Sequence, residues 1–163
     1  MSNQGSRAFY NLINKIQEFL QQSPDVNTIT YGDITQIDLN KQEMYPLAHI
    51  MVNNAILQAG VIQFSCTILC MDGVWNNKIN PADQTWNETL YGITNEIDVL
   101  NTQLKVVNLL NQSMLRYNLR SDLFELVGDG SCEPFHERFE NDLAGWAYNF
   151  DVFVQNDINV CQT

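Results

Sequence analysis

Leu143-Ala-Gly-Trp-Ala-Tyr-Asn-Phe-Asp-Val-Phe-Val-Gln155 puts Trp146, Tyr148, Phe150, Val152 and Val154 on one side of a period-two pattern. Side chains alternate between the two faces of a strand, so this stretch predicts a strand with one heavily apolar face. Asn149, Asp151 and Gln155 fall on the other side, where Phe153 is an aromatic among polar residues. A strand face this apolar has to be covered, and the rest of the chain must supply the cover.

The expected cover is a long helix over residues 87–117. Leu90, Ile93, Ile97, Leu100, Leu104, Val107 and Met114 keep a three/four spacing that breaks at Asn111, and Val106, Leu109, Leu110 and Leu115 widen the stripe. A broad stripe suits a helix lying on a sheet better than a coiled-coil seam. The closing strand is expected to meet it around Ile97, Leu100 and Leu104. A first helix is predicted from Ser6, as N-cap, to Leu20, with Phe9, Leu12, Ile13, Ile16, Phe19 and Leu20 as its apolar face. Gln21-Gln-Ser-Pro-Asp25 ends it, because a residue before proline is driven out of the helical region.

The remaining segments read as strands. Thr28-Ile-Thr-Tyr31 is short and β-branched, and Gly32-Asp33 turns the chain. Residues 44–52 are apolar on both sides, as in a buried strand, with Pro46 at the start where no ladder donor is needed. In residues 61–70, Ile62, Phe64, Cys66, Ile68 and Cys70 face one way and Gln63, Ser65 and Thr67 the other. A link through Ala59-Gly60 makes these two an antiparallel hairpin. Residues 124–127 give a short strand closed by Gly128-Asp-Gly130, and residues 132–140 a further one with Pro134 near its start. Strands in runs separated by helices, without βαβ alternation, indicate an α+β fold: a mainly antiparallel sheet with both helices on one face. The 163 residues are expected to form a single domain, 1–163, interrupted by a long loop at 72–87.

Apolar residues make up 45% of the chain and charged ones 17%, which favours a folded protein over a disordered one. The formal net charge of −11 repels phosphate backbones and disfavours sequence-specific nucleic-acid binding. No apolar run reaches the length of a membrane span, and Met-Ser-Asn-Gln-Gly-Ser-Arg7 lacks the pattern of a signal peptide. Four cysteines are too sparse for a disulfide scaffold and point to folding in a reducing cytoplasm.

No phosphate loop, nucleophile elbow or His-Glu-x-x-His pattern is present. His49 lies among apolar strand residues and reads as a satisfied core histidine. His136 with Glu133, Glu137 and Glu140 offers metal-ligand types, but strand alternation puts His136 and Glu140 on one face and Glu133 and Glu137 on the other. Cys66 and Cys70 are about 13 Å apart along a strand, too far for a disulfide or a shared zinc. Cys132 and Cys161 pair only if the fold joins them. No catalytic, cofactor-binding or metal residue is therefore assigned, and the chain is read as a non-enzyme. The residues left as interface candidates are Trp75 and Trp86 in the polar loop, with Asn149, Asp151 and Phe153 on the far side of the closing strand. The two tryptophans have two readings: anchors for another protein, or a loop folded back to bury them.

The order of elements, with the phrases Tyr45-Pro-Leu-Ala-His-Ile50 and Leu143-Ala-Gly-Trp146 leading into an alternating strand, resembles the tail-terminator or tail-completion proteins and related neck rings of tailed bacteriophages. The Asn- and Gln-rich, Lys-poor composition is similar to virion proteins of phages infecting Bacteroidetes, including crAss-like phages. The resemblance extends from Phe9 to Val154 and implies a non-enzymatic structural subunit in the virion. It implies a closed ring, hexameric or higher, between head connector and tail tube, with neck, connector or tube proteins as partners. DNA then passes through an acidic lumen without specific contact, and no cofactor or membrane is involved. Another tail or baseplate-adaptor subunit is the alternative, and a small metal-dependent hydrolase built on His136 a further one.

Overall fold

The computed structural model describes residues 7–39, 41–74, 96–138 and 142–158. Its elements run α1 (Ala8–Gln21), β1 (Thr28–Tyr31), β2 (Leu47–Leu57), β3 (Val61–Gly73), α2 (Glu96–Leu115), α3 (Leu119–Asp122), β4 (Phe124–Arg138) and β5 (Leu143–Gln155). The strands form one five-stranded sheet in the order β1-β2-β3-β5-β4. Every pairing is antiparallel except β1 with β2, which is parallel and short, from Thr28 beside Leu47 to Tyr31 beside Ile50. The fold is α+β, with an N-terminal and a central helix on a mainly antiparallel sheet.

The period-two reading of β5 holds along its length. Tyr148, Phe150, Val152 and Val154 are buried, with Trp146 packed at their margin, in one cluster that also takes Ile62, Phe64, Cys66, Ile68 and Cys70 of β3. Leu12, Ile16, Phe19 and Leu20 of α1 and Val106, Val107, Leu110 and Met114 of α2 close that cluster from above. Both helices therefore lie on the same face. Burial raises both cysteine thiols to about 12, so Cys66 and Cys70 are inert core residues.

Several expectations are corrected. α1 begins at Ala8 with Arg7 in the N-cap position and no side-chain cap, rather than with Ser6. Ile97 and Leu104 of α2 are exposed, whereas Val106, Val107, Leu110 and Met114 are buried as expected and are joined by Val99 and Gln103. Leu100 still meets the closing strand, but through its backbone: Trp146 Nε1 donates to the Leu100 carbonyl at 2.8 Å. The predicted helical residues 87–95 lie outside the described residues. Gly128-Asp-Gly130 does not end a strand. It forms an irregularity inside one strand, β4, where the register jumps from Val127 opposite Asp151 to Ser131 opposite Asn149. That is a bulge, which lengthens one strand locally without breaking the pair.

Among the described residues, the opposite face is covered over one half only. Leu47, Leu69, Met71, Phe135 and Leu143 form a second small cluster, capped by Ile34, Leu39, Met44 and Tyr45 from the connection between β1 and β2. Tyr45 anchors this cap by donating its hydroxyl to the Leu39 carbonyl at 2.8 Å.

Candidate assembly surface

The half of that face away from the cap is polar. Asn53 Nδ2 donates to Thr67 Oγ1 at 2.8 Å, and the Thr67 hydroxyl donates to Asn149 Oδ1 at 2.6 Å, a hydrogen-bonded row across β2, β3 and β5. Asn149 is exposed. Asp151 is half-buried between Ser65 and Val127, and Phe153 half-buried between Gln63 and Glu125, its in-register neighbours. These three interface candidates do point away from the helices. Phe153 is absent from the capped cluster. Trp75 and Trp86 lie outside the described residues.

A second feature is an absence, which no motif marks. From Tyr45 to Met71, through all of β2 and nearly all of β3, there is no Asp, Glu, Lys or Arg. β1 pairs with β2 only as far as Ile50, so the outer edge of β2 beyond it has no strand partner among the described residues. Asn53 to Gly60 are all exposed, Ile56 at 45% and Leu57 at 77%. Soluble proteins usually blunt a free edge with charge, proline or a covering element. Among the described residues the device present is a bulge between Val52 and Asn54, at the start of this edge rather than along it. On the helix side the arm adjoins exposed Phe9 and Tyr31, whose rings meet edge-on at 5.9 Å, with Phe9 also edge-on to Phe64 at 6.1 Å. An uncharged free edge with apolar side chains is a ready template for another strand.

The other end of the sheet offers a recess. A cleft of about 410 Å³ lies between α2 and β4, lined by Leu104 and Asn108 on the helix and by Gly130, Cys132 and Tyr148 on the sheet. Tyr148 is buried and donates its hydroxyl to Asn111 Oδ1, which explains why a polar residue interrupts the apolar pattern of α2. Burial raises the Tyr148 phenol well above its ordinary value and keeps it a neutral donor.

The histidines do not converge on a site. His136 and Glu133 are exposed on β4, and His136 Nδ1 lies 3.6 Å from Glu96 Oε1. The side chains of Glu137 and Glu140 lie outside what is described, as does Cys161. Among the described residues no three His, Cys, Asp or Glu side chains group as metal ligands. Also among them, no helix is long and apolar enough to cross a membrane.

His49 is fully buried, as its strand context predicts. Its Nε2 lies 2.8 Å from the Gly32 carbonyl, which only accepts, so Nε2 carries the proton and the Thr30 hydroxyl donates to Nδ1 at 2.7 Å. The ring thereby ties β1 and the following turn to β2. Burial lowers its pKa, with the Gly32 carbonyl and the Asp33 charge opposing. A lowered value means that the unfolded chain takes up the proton first, at about pH 6.5. Stability from His49 is thus fully present above that pH and is lost as pH falls from there toward the folded value. Between pH 7.5 and 5.5 the wild type should lose on the order of 2 °C more in Tm than His49→Gln. Equal losses in the two proteins would remove the assignment.

Compared with protein-family models and with curated proteins, the chain matches none.

Proposed function

We propose that this chain is a virion structural protein that assembles as a closed homo-oligomeric ring at the neck or head–tail junction of a tailed bacteriophage. The observation that carries the self-assembly is the outer edge of β2 beyond Ile50, uncharged and without a strand partner among the described residues, with Ile56 and Leu57 exposed on it. A lone subunit gains nothing from such an edge and risks aggregation, whereas a subunit with a fixed neighbour buries it. The placement in a phage neck rests on the resemblance in element order and on the two phrases at 45–50 and 143–146. The net charge of −11 supports it: an acidic lumen lets DNA pass without adhering.

A different tail or baseplate-adaptor subunit would use the same edge, so the free arm does not separate the two. Locating the chain within a particle reconstruction does. The self-assembly is checked first by native mass measurement and negative-stain imaging. The expected result is a closed ring, alone or on addition of the tail-tube or connector protein. A protein that stays monomeric in all three settings refutes this function.

A further inference from the structure

We propose that the free β2 edge of one copy adds as an antiparallel strand to the outer edge of β4 in the next copy, with Leu57 entering the cleft between α2 and β4. This rests on the self-assembly read above and names the surface that receives the arm.

The directions of the strands allow it. β2 and β5 run one way, β3 and β4 the other. Moving a copy sideways along the sheet, with its helices kept on the same side, therefore sets its β2 antiparallel to β4. β4 closes the sheet and has no strand on its outer side among the described residues. The contact joins two different edges, so it repeats head-to-tail, as a ring requires.

β1 restricts the register. An unshifted approach fails, because β1 occupies the flank of Leu47 to Ile50. Across the sheet, Ala55 is level with Phe64, Val152 and Leu126, while Cys132 is level with Tyr148 and Ile68. Sliding the arriving copy from the Phe64 level to the Ile68 level, about 13 Å at ~3.3 Å per residue, carries Thr28 and Ile29 of its β1 beyond Arg138 and leaves Thr30 and Tyr31 level only with the irregular end of β4 at His136 to Arg138. The same slide puts Ala55 beside Cys132 and Leu57 at the level of Phe150, where β4 carries its Gly128–Gly130 bulge. An even slide keeps Ala55 and Leu57 on the helix side, where the cleft opens. A constant stagger between neighbours is also what a sheet needs to close on itself.

The side chains fit that register. Gly130 lines the cleft and contributes no side chain; a Cβ there would run into the Tyr148 ring. Leu104, 37% exposed, gives the arriving Leu57 an apolar wall. Glu125, Asp129 and Glu133 are exposed on β4, and an acidic arm would be repelled by them. The arm has no charge at all.

Ala55→Cys tests the register against the native Cys132. Directly opposed residues in an antiparallel pair have Cα atoms about 4.5–5.5 Å apart, within disulfide reach. Mild oxidation of Ala55→Cys should give a ladder of covalent multimers on a non-reducing gel, and adding Cys132→Ser should abolish it. Leu57→Asp and Asn108→Trp, both at exposed positions, should each weaken association at least ~100-fold while keeping the wild-type melting curve. Mixed together, the two variants should form a heterodimer and nothing larger, since each retains one intact edge. A ring that forms without the Ala55→Cys cross-link, or that Leu57→Asp leaves unchanged, overturns the pairing and spares the ring reading. A wild type that never associates overturns both.

Discussion

Gly145→Ala should destroy the native sheet rather than merely weaken it. Gly145 is buried in β5, opposite Met71 on β3 and Phe135 on β4, so strands flank it on both sides. A Cβ built there falls onto the Cys70 carbonyl oxygen and within 2.8 Å of Met71 Cα. Both obstacles are backbone, held in register by the β3–β5 ladder, so no rotamer change relieves the clash. Overpacking that side chains can absorb costs about 1–3 kcal/mol. Where a central ladder has to move instead, the loss should reach ~4 kcal/mol or more, in the range reserved for specific structural faults. Urea denaturation is the measurement, and a variant within about 1 kcal/mol of wild type contradicts the close approach of β3 and β5. Gly130→Ala is the comparison, because its obstacle is the Tyr148 ring, a side chain at the rim of a cleft. It should fold, with a smaller loss.

The contrast between these glycines follows what the sequence does and does not make visible. Alternation in β5 and β3 was legible because each carries apolar residues on one face and mostly polar ones on the other, and a period of two admits only two phases. The phase of α2 was not, because apolar residues run nearly all round it. Ile97, Leu104, Leu109 and Leu115 are exposed, while polar Gln103 is buried. Hydropathy alone had no means of choosing among the stripes. Gly128-Asp-Gly130 has the composition of a turn, and only pairing with a continuous β5 turns it into a bulge.

The interface candidates divide in the same way. Asn149, Asp151 and Phe153 follow from alternation and lie where expected. The free edge of β2 does not follow from any local pattern, because it exists only where β1 stops pairing at Ile50. Its trace in the sequence is the uncharged run from Tyr45 to Met71. In a chain this acidic, such a run sets the hairpin apart, and its buried half accounts for only part of it. Trp75 and Trp86 lie outside the described residues.

Phe150→Ala should cost about 3–5 kcal/mol, the usual range for removing a buried phenylalanine, and toward the upper end of it. Phe150 is 4% exposed and stacks on Tyr148 with ring centroids 4.9 Å apart and planes at 24°. The neighbours that would have to close the void are constrained. On β3 its partner is Cys66, a small side chain already in the core, and on the β4 side it faces the bulge rather than a paired residue. Tyr148 is held in place by its hydrogen bond to Asn111, so its ring is not free to tip into the space. The stacking itself adds ~0.5–1.5 kcal/mol beyond area burial. For a chain of this size a loss of ~4 kcal/mol corresponds to a fall in Tm on the order of 10 °C. Phe150→Leu, which keeps most of the volume, should recover more than half of it. The consequence for assembly is separate from the melting curve. Tyr148 lines the α2/β4 cleft, and although its hydroxyl stays anchored on Asn111, losing the stacked ring removes the support behind it and would loosen the wall of the cleft proposed to receive Leu57. At temperatures where Phe150→Ala is still folded, its rings should therefore dissociate at lower dilution than those of Phe150→Leu. Native mass measurement across a concentration series checks this, and identical dissociation in the two variants would show that the cleft does not depend on this part of the core.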